Sequence, residues 1–385
     1  MIRISDISDC CGCTACMAVC PYDAISMRPD SLGFKYPSVD VGRCVDCGLC
    51  EKVCDFSRKD RQTVHPEEGV RAYAARHKDV SVLSASQSGG VFTAVSDIIL
   101  QRGGVIYGAT FNSDYSVSHG RAATSEERDR FRGSKYVQSD MGGVFRSVRE
   151  DLNAGRQVLF SGTPCQVAGL MSFLPAGLKK NLVTVDIICH GVPSPSVWKD
   201  FLCHVSKGKN IVKADFRDKS LEGWKVHKES VSLADGRKVV SETFKIMFYK
   251  NIMLRDCCHA CRYDIYDRPS DITIADFWGI EEVLPHLDND LGMSMVIPHT
   301  DNASALLEEA KVEVEAVEVS LTEDFFRRRN PNALAPAAMH PEREKFKALY
   351  KKKGFVSVAG RWGDIGWRYK AWKIKVFFKR MLGKI

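Results

Sequence analysis

The sequence lacks a long hydrophobic run. No internal stretch of its 385 residues approaches the roughly 20 apolar residues that a membrane-spanning helix needs. Residues 1–10 also lack the apolar core of a secretory signal, so reduced thiols and a cytoplasmic location are expected. Hydrophobic content of 44% and charged content of 27% are ordinary globular values. The length suits a small domain plus one larger domain with its own core.

The body of the chain also lacks net charge. The net charge of the full chain is +7. The segment Arg361–Ile385 holds eight Lys or Arg against one Asp, so this segment alone accounts for the whole positive excess. A nearly neutral body argues against a nucleic-acid-binding core.

The tail, residues 355–385, is predicted to be a basic amphipathic helix. Its apolar stripe recurs at helical spacing and comprises Trp367, Ala371, Ile374, Phe378, Met381 and Ile385. Such a helix is typical of a segment in an anionic membrane interface, which would place the protein at the inner face of the cell membrane. A helix that folds back onto the body or binds a partner is the alternative.

Cysteine is concentrated at the amino terminus, where nine of the fifteen cysteines lie within the first 54 residues. Eight of them form two runs with C-x2-C-x2-C-x3-C spacing: Cys10, Cys13, Cys16, Cys20, Cys44, Cys47, Cys50 and Cys54. This is the bacterial two-cluster ferredoxin pattern, in which three thiolates of each run hold one 4Fe-4S cluster and the fourth crosses to the other. We therefore predict that residues 1–60 form a two-cluster ferredoxin-like domain that transfers electrons.

The pattern also assigns each ligand to a cluster. One cluster would take Cys10, Cys13, Cys16 and Cys54, and the other would take Cys44, Cys47, Cys50 and Cys20. Cys11 is left as a spare thiol. Pro21 follows the first run as the pattern asks, whereas Asp55 replaces the second proline. Structural zinc and disulfides are weaker alternatives, because zinc sites usually present pairs of cysteines and a secreted domain should carry a signal peptide.

The rest of the chain reads as an α/β core that begins near Gly69, after a polar connector over residues 55–68. Helical and buried-strand patterns alternate, which predicts a partly parallel sheet. The predicted elements are a helix over Val91–Ile99, a strand over Val105–Phe111, a helix capped by Asp140, a strand over Val158–Phe160, a helix from about Gln166 and a strand over Val183–Cys189.

An antiparallel hairpin is attached to this core. Val226–Leu233 and Lys238–Phe244 flank Asp235-Gly236, which is a strong hairpin turn. Lys311–Val319 alternates charged and apolar residues as a half-exposed strand does. The fold class is therefore α+β or α/β, with a ferredoxin-like domain, an α/β core carrying a hairpin, and a C-terminal amphipathic helix.

Three glycine- or proline-rich corners lie where predicted strands and helices meet: Ser88-Gly89-Gly90, Ser161–Gln166 and Cys189-His190-Gly191. Such α/β proteins build ligand sites from backbone amides and helix N-termini at these corners, although a Gly-Gly before a helix is more often only a loop. The second corner places Cys165 at a helix N-terminus, where the dipole favours the thiolate.

Four further cysteines could hold a third 4Fe-4S cluster: Cys165, Cys189, Cys258 and Cys261. Cys257 would then be spare. The alternative is that the first two are small buried residues and that the C-x-x-C is half a zinc knuckle or carries no metal. Cys203 is expected to be a core residue on an apolar helix face.

Five ordered motifs carry a family resemblance: Ser88-Gly89-Gly90-Val91-Phe92, Gly133-Ser134-Lys135-Tyr136-Val137, Gly162-Thr163-Pro164-Cys165-Gln166, Cys189-His190-Gly191-Val192-Pro193 and Asp271-Ile272-Thr273-Ile274-Ala275-Asp276-Phe277-Trp278-Gly279. With the ferredoxin run before them, residues 1–340 resemble the family of beta subunits of coenzyme F420 hydrogenases and dehydrogenases. One departure is Ala275, where the family often has glycine.

The resemblance implies an iron-sulfur flavoprotein that binds FAD in residues 69–340 and exchanges hydride between the flavin and a substrate such as F420. It also favours the third cluster. The implied FAD-binding residues are Ser88, Gly89, Gly90, Lys135, Tyr136, Gly162, Thr163, Pro164, Gln166, Asp276 and Trp278. The fused ferredoxin and basic tail look more like a stand-alone bacterial branch, partly linked to polysaccharide synthesis, so the substrate is F420-like or unassigned.

Two residues are candidates for catalysis under this resemblance. Lys135 would place charge near the flavin or its phosphates, and His190 would donate a proton. A solvated loop lysine and a capped corner histidine are the alternatives, and for Asp276 and Trp278 the alternatives are turn chemistry and core packing.

The union of one-electron clusters with a two-electron flavin predicts an FAD- and 4Fe-4S-dependent oxidoreductase. Electrons would enter or leave through the ferredoxin-like domain, cross the third cluster and meet the flavin. The expected partners are a redox protein or soluble electron donor and a small-molecule substrate. The alternatives are an electron-transfer adaptor subunit that serves a partner enzyme, and a metal-stabilised binding module that would leave the glycine corners without a purpose.

Overall fold

A mixed eight-stranded sheet organises the protein in the computed structural model, which describes residues 1–57 and 69–366. The strands are β1 (Ile25–Pro29), β2 (Lys35–Val39), β3 (Val70–His77), β4 (Val105–Phe111), β5 (Val117–Ala122), β6 (Val158–Ser161), β7 (Leu182–Ile187), β8 (Ile211–Asp215), β9 (Glu229–Leu233), β10 (Lys238–Ser241), β11 (Ile272–Asp276), β12 (Ser294–Pro298) and β13 (Val314–Leu321).

The helices surround this sheet and extend from it. They are α1 (Ala15–Val19), α2 (Leu49–Lys52), α3 (Val80–Ala85), α4 (Val91–Gln101), α5 (Ser125–Asp129), α6 (Val144–Asn153), α7 (Pro164–Phe173), α8 (Pro195–Ser206), α9 (Lys219–Glu222), α10 (Thr243–Tyr249), α11 (Ile280–Val283), α12 (Asp301–Ala310), α13 (Glu323–Arg329) and α14 (Arg343–Trp362). Short 3-10 turns cover Ile7–Asp9, Asp55–Ser57, Ala176–Asn181, Asp256–Ala260, Pro285–Leu287 and Pro331–Ala333.

The strand order of the large sheet is β13-β3-β12-β11-β7-β6-β4-β5. The four central strands β11, β7, β6 and β4 are parallel, and the strands on either side are antiparallel. This confirms the predicted α/β character and partly parallel sheet. Because parallel strands end at the same edge, the corners that follow β6, β7 and β11 lie together there.

Alternation along β4 and β6 explains why helices cover both faces of the sheet. Ile106 and Leu159 pack with α4 and α12 on one face, whereas Tyr107 and Phe160 pack with α6 and α7 on the other. Successive side chains of a strand point to opposite faces, so a nearly continuous apolar strand is what a sheet covered on both sides requires.

The amino-terminal segment packs onto the larger body. It consists of the β1–β2 hairpin with α1 and α2, and its Ala15, Ala18 and Val53 share an apolar core with Phe145 of α6 and Leu170 of α7. Its buried Phe34 joins a second core, which also holds α8, α10 and α14 and the small sheet β10-β9-β8. The segment therefore buries apolar surface against both halves of the body.

Several predicted boundaries were wrong. Asp140 does not cap α6, whose N-cap is Gly143; its carboxylate instead pairs with Lys35 at 2.5 Å and accepts from the amide of Gly142 at 3.2 Å. The second hairpin strand ends at Ser241, and Phe244 lies in α10, where it is buried with Met247 and Phe248. The spacing of these three residues is that of one helix face. It determined the structure after Ser241, although the preceding Val239-Val240 favours a strand.

Other predicted bounds shifted by a few residues. The helix expected from about Gln166 begins at Pro164, β7 ends at Ile187 before Cys189, and β13 begins at Val314 rather than Lys311. Cys203 is exposed and not a core residue. It lies on α8, whose buried face is formed by other residues.

The tail is only partly described. Residues 355–362 belong to α14, and Phe355, Val358 and Trp362 are buried against the body, so this part is not a free amphipathic tail. The predicted apolar stripe from Trp367 and most of the predicted connector, residues 58–68, lie outside the described residues. None of the helices of residues 1–57 and 69–366 is both long enough and apolar enough to cross a bilayer.

Candidate functional site

The two cysteine runs fold into loops with the same backbone signature. Gly12 and Thr14 in the first run have φ angles of 73° and 69°, and Asp46 and Gly48, at the same positions of the second run, have 52° and 74°. Successive residues of alternating backbone hand expose N–H groups on the concave side, which forms an anion-binding nest of the kind found at iron-sulfur sites. Two non-glycine residues accept the left-handed conformation there, which is costly unless the site requires it.

Sulfur atoms from both runs meet inside this segment. Cys16 and Cys50 are buried in one small core, and Cys20 and Cys54 pack against it. Cys10 and Cys54 act electrostatically on Cys16. Burial raises the pKa of the Cys16 thiol to about 12. The fourth cysteine of the second run therefore approaches the first run, as the crossed ligand pattern expects.

Backbone amides also face the sulfur atoms. The amide of Ile2 donates to Sγ of Cys50 at 3.2 Å, and the amide of Ala24 donates to Sγ of Cys20 at 3.4 Å. Such N–H contacts are among the features that tune iron-sulfur centres.

A cavity of about 170 Å³ lies beneath the amino-terminal segment and is lined by six cysteines: Cys11, Cys165, Cys189, Cys257, Cys258 and Cys261. The four cysteines predicted to hold a third cluster are among them. Cys165 and Cys189 come together because β6 and β7, the strands they follow, are parallel neighbours. The other two arrive from the 3-10 turn Asp256–Ala260 and its C-cap. Within residues 1–57 and 69–366, no three Cys, His, Asp or Glu side chains are arranged to hold a single metal ion. This holds for the amino-terminal cysteines and for the cysteines that line the cavity.

The protonation of these thiols follows from their surroundings. Contact with Cys11 and then burial raise the pKa of Cys165 well above its usual value. The sequence predicted that the helix N-terminus favours the thiolate of Cys165, but this effect does not by itself keep the residue ionised. Burial raises the pKa of Cys261 to about 12. Cysteine ligands bind metal as thiolates, so loading this site would release protons.

A larger cavity of about 420 Å³ opens beside it, at the carboxyl edge of the parallel strands. Of the predicted FAD-binding residues, nine line it: Ser88, Gly90, Lys135, Tyr136, Gly162, Thr163, Gln166, Asp276 and Trp278. The volume lies within the range of about 300–1,000 Å³ that is usual for cofactor and ligand sites. Pro164 lines the smaller cavity instead, and Gly89 lines neither.

The Ser88–Gly90 corner is held by Met293 and by Ser294, the first residue of β12. The hydroxyl of Ser88 donates to the carbonyl of Met293 at 2.6 Å, and the amide of Gly89 donates to Oγ of Ser294 at 2.9 Å. A Cβ on Gly89 would lie only 2.1 Å from the carbonyl oxygen of Ala75. Gly89 is therefore required for close strand packing beneath the corner, and Gly90 is the N-cap of α4 with a φ of 77°.

The Gly162–Gln166 corner is a capping box at the start of α7. Oε1 of Gln166 accepts from the amide of Thr163 at 2.9 Å, and its Nε2 donates to Oγ of Ser139 at 2.9 Å. This arrangement satisfies the amide of the N-cap residue Thr163 and fixes the glutamine side chain. Oγ1 of Thr163 also lies 3.2 Å from Sγ of Cys165, which links the corner to the cysteine-lined cavity.

Lys135 braces the loop that forms one wall of the larger cavity. Its ammonium donates to the carbonyl oxygens of Arg130, Phe131, Arg132 and Gly133 at 2.8–3.2 Å. Burial lowers the pKa of Lys135 to about 7, whereas four carbonyl acceptors favour the charged form. Its hydrogen bonds are thus directed to the backbone, which fits a positioning role better than direct contact with a ligand.

Sequence reasoning missed a buried ion pair on the cavity wall. Arg217 pairs with Asp276 and donates to the carbonyl of Trp224 at 2.7 Å, while Nε1 of Trp224 donates to Asp276 at 3.2 Å. The indole of Trp278 stacks on Trp224 at 5.1 Å, and the guanidinium lies 5.0 Å from the Trp278 ring. Tyr136 packs across from this group, with its ring 5.1 Å from that of His227.

His190 lies on the wall shared by the two cavities. Its Nδ1 lies 2.9 Å from Oδ1 of Asn332 and its Nε2 lies 2.6 Å from Oδ1 of Asn251. The ring also contacts Phe248 edge-on at 4.8 Å. Thr163, Gln166 and Cys189 belong to the same wall, so the thiol-lined and larger cavities are in direct contact.

The residues that sequence reasoning missed are cations and amides that arrive from distant segments. Arg217, Asn251 and Asn332 stand in no recognisable motif, and only the fold brings them to His190 and Asp276. A buried histidine, His119, was missed as well; its Nε2 lies 2.9 Å from the carbonyl of Ser161, and burial lowers its pKa to about 4.

Two families match separate parts of the chain. Residues 155–323 match the family of the carboxyl-terminal part of the coenzyme F420 hydrogenase/dehydrogenase beta subunit, and residues 9–57 match the family described as "4Fe-4S dicluster domain". These matches confirm the two parts of the resemblance drawn from the sequence, and they show that the chain carries an iron-sulfur electron-transfer domain.

Curated relatives match over the same parts. An F(420)H(2) dehydrogenase subunit of Methanosarcina mazei is 23% identical over 193 residues, which cover 47% of this chain and 53% of that relative. A subunit of the Na(+)-translocating ferredoxin:NAD(+) oxidoreductase complex of Acetobacterium woodii is 41% identical over 58 residues, or 15% of each chain. The "Ferredoxin 7Fe" of Hydrogenibacillus schlegelii is 37% identical over 65 residues, covering 17% of this chain and 76% of the ferredoxin. The chain thus spans about half of the first of these relatives and a small part of the second.

A solved structure titled "Xenon derivatization of the F420-reducing [NiFe] hydrogenase complex from Methanosarcina barkeri" contains a similar chain. It is 17% identical, with a TM-score of 0.47, and the similarity covers 77% of this chain and 92% of that chain.

Proposed function

Because this chain belongs to the family of coenzyme F420 hydrogenase/dehydrogenase beta subunits and carries a 4Fe-4S dicluster domain, we propose that it is an iron-sulfur flavoprotein oxidoreductase. It would pass electrons between 4Fe-4S clusters and FAD, for hydride transfer to or from a soluble substrate that is F420-like or unassigned. A redox partner protein or soluble electron donor would exchange electrons with the amino-terminal clusters.

The observation that carries this proposal is the wall shared by the two cavities. The thiol-lined cavity, which would hold the third cluster, and the larger cavity, which would hold FAD, have Thr163, Gln166, Cys189 and His190 in common. A bound flavin carries two electrons and a cluster carries one, so their contact allows conversion between the two kinds of donor.

The donor set of the smaller cavity fits a cluster. Four cysteines from three segments converge there, and two further thiols, Cys11 and Cys257, stand beside them. Six thiols around one cavity supply the donor type and more than the number that a 4Fe-4S cluster requires. Their proposed ligand roles are Cys165, Cys189, Cys258 and Cys261 for the third cluster, with the eight cysteines of the dicluster motif holding the other two.

The larger cavity fits an anionic dinucleotide such as FAD. Four cations line it, Arg132, Lys135, Arg217 and Arg329, and so does the carboxylate of Asp276. Asp276 pairs with Arg217, while Asp129 and Glu282 pair with Arg132 and Arg329 from outside the lining, so these guanidinium groups are held in fixed positions at the wall. The corners that begin α4 and α7 also line it, as at other phosphate sites built from helix N-termini. Arg217 and Trp278 would orient the cofactor, and Lys135 would hold the Gly133 loop against it.

His190 is the proposed proton donor at the meeting point of cofactor and substrate. Asn251 and Asn332 fix its ring, and it lines both cavities. A proton held there could accompany hydride transfer in the larger cavity.

Anaerobic purification followed by iron, sulfide and flavin analysis tests the proposal. About 12 iron atoms and one FAD per chain are expected for three clusters and one flavin. Gly162→Val should lower flavin occupancy with iron retained, because a Cβ there would lie 3.0 Å from the ring of Phe160 and 3.1 Å from Oε1 of Gln166. Gly177→Val, where a Cβ meets nothing within 4 Å, is the matched control.

A second function, an electron-transfer adaptor subunit, is favoured by the names of two relatives, which describe subunits of larger assemblies. In that case the α/β domain would dock a partner enzyme and carry no flavin. Full cluster content with no flavin in gently handled protein would favour the adaptor and refute the flavin part of the proposal.

A further inference from the structure

Arg255 is a fully buried cation that lies directly before the turn carrying Cys257 and Cys258. Its relative exposure is 0%. No carboxylate of residues 1–57 and 69–366 pairs with it, and the neighbouring Asp256 pairs instead with Arg343 at 3.1 Å and Lys347 at 2.9 Å. A buried charge without a partner is strongly unfavourable, so this guanidinium requires a negative group nearby.

The hydrogen bonds of Arg255 reach across to the first cysteine loop. Nε donates to the carbonyl of Cys10 at 2.7 Å, and Nη2 donates to the carbonyl of Lys35 at 2.9 Å and to Sγ of Cys10 at 3.5 Å. Nη1 donates to Oε1 of Gln138 at 2.9 Å. The sulfur of Cys10 can carry negative charge and accepts a hydrogen bond from Arg255, and its electrostatic effect on Arg255 is larger than those of Tyr36, Cys257 and Cys11.

The surroundings of Arg255 are shaped for this contact. The guanidinium lies 4.1 Å from the ring centre of Tyr36, which supplies a cation–π interaction. Gly12 has a φ of 73°, and a Cβ there would lie 2.8 Å from Nη1 of Arg255. The loop between Cys10 and Cys13 thus needs glycine both for its backbone hand and to admit the arginine.

We propose that Arg255 is a positioning residue that serves as counter-ion to the cluster ligated by Cys10, and that it raises the reduction potential of that cluster. This inference rests on the proposed function, since it requires the amino-terminal cysteines to hold iron-sulfur clusters. Each reduction adds one electron and one negative charge to the cluster, and a fixed guanidinium that donates to a ligand sulfur stabilises the reduced state. The residue also joins the two parts of the chain, because it comes from the larger domain.

Redox titration of the holoprotein, followed by electron paramagnetic resonance, tests this role. In Arg255→Gln, one cluster signal should titrate at a more negative potential than in the wild type, and this shift should exceed that of any other cluster signal, because Arg255 donates to the sulfur of Cys10 and acts on Cys258 only through space. Arg255→Lys, which keeps the charge, should shift the same signal less. The control is Arg146→Gln. Arg146 also donates to the amino-terminal segment, to the carbonyls of Ala18 and Cys20 at 3.0 Å, but it pairs with Asp23 and donates to no sulfur among the residues that the structure describes.

A second measurement does not depend on the folding of a variant. Wild-type holoprotein labelled with 15N-arginine should show a nitrogen hyperfine coupling to the reduced cluster. Unchanged potentials in Arg255→Gln, equal shifts in the Gln and Lys variants, or no arginine coupling in the wild type would overturn the role of Arg255. The absence of any iron-sulfur signal in the wild type would instead refute the proposed function.

Discussion

Nε2 of His190 lies 2.6 Å from Oδ1 of Asn251, an asparagine whose own amide nitrogen donates to the carbonyl of Ala338 at 3.0 Å. The second bond fixes the orientation of the Asn251 amide, so its oxygen must face the imidazole. With Asn332 on the other ring nitrogen, each ring nitrogen of His190 faces an amide oxygen. The ring is thus held in one orientation on the wall between the two cavities.

Replacing His190 with leucine should slow hydride exchange between substrate and flavin by about 10²- to 10⁴-fold, the usual contribution of a positioned proton donor. Cluster and flavin contents should stay near wild type, because none of the proposed ligands is changed. Stopped-flow flavin reduction measures the rate. His286→Leu, at an exposed histidine, is the control, and a wild-type rate in His190→Leu would remove this residue from the mechanism.

The buried pair of Arg217 and Asp276 should contribute more to stability than a surface pair does. Asp276→Asn leaves the Arg217 guanidinium, whose side chain is 2% exposed, without its charge partner, and we expect a loss of about 3–5 kcal/mol of unfolding free energy. The double variant Arg217→Gln/Asp276→Asn should recover part of this loss. Denaturant unfolding measures both.

The exposed pair of Arg237 and Asp235 in the hairpin provides the comparison. Its side chains are 55% and 35% exposed, so Asp235→Asn should cost less than about 1 kcal/mol. Equal losses at the two sites would contradict the importance assigned to the buried pair.

Removing one ligand of the proposed third cluster should lower the iron content without affecting the dicluster motif. Cys165→Ser and Cys258→Ser are each expected to reduce iron from about 12 to about 8 atoms per chain. Cys203→Ser, at an exposed cysteine, should change nothing. A full iron content in both ligand variants would show that the thiol-lined cavity holds no cluster.

Buried histidines should make the fold sensitive to acid. Burial lowers the pKa of His119 to about 4, whereas an unfolded histidine titrates near about 6.5. Between those values the unfolded chain binds the proton and the folded chain does not, so stability is complete above about pH 6.5 and falls toward about pH 4 by about 1.4 kcal/mol per pH unit. Burial lowers the pKa of His299 to about 4 as well, which adds to the effect.

His119→Gln tests this linkage. The variant should lose less thermal stability than the wild type when the pH is lowered from 7 to 5, although it is less stable at neutral pH because the stacking on Phe160 is lost. His286→Gln, at an exposed site, should follow the wild type. A variant whose unfolding temperature shows the same pH dependence as the wild type would contradict the account.

The sequence predicted those features that depend on local spacing. The cysteine runs, the strand Val105–Phe111 and the corner Ser161–Gln166 are each encoded within a few residues, and the strand matches β4. Cys165 and Cys189 were each predicted to follow a buried strand, and the structure shows that these strands, β6 and β7, are parallel neighbours. In each case the local sequence pattern and the tertiary packing favour the same structure.

Features that depend on distant contacts were not predictable in this way. Asp140 resembles a helix cap, but the proximity of Lys35 and the turn at Gly142 determine its contacts. The partnerships of Arg255 with Cys10 and of Arg217 with Asp276 join residues 245 and 59 positions apart, and no local pattern marks them. Lys135 shows the same limit, since a lysine in a glycine loop indicates charge at the site, whereas its ammonium is engaged by backbone carbonyls.

Anaerobic reduction of the holoprotein by a one-electron donor tests the central claim most directly. If electrons cross from the amino-terminal clusters to a flavin in the larger cavity, then reduced ferredoxin should bleach the flavin in the wild type, and bleaching should be much slower in Cys165→Ser than in Cys203→Ser. A wild-type protein that contains clusters and flavin but shows no flavin reduction, or the same rate in both variants, would contradict this account.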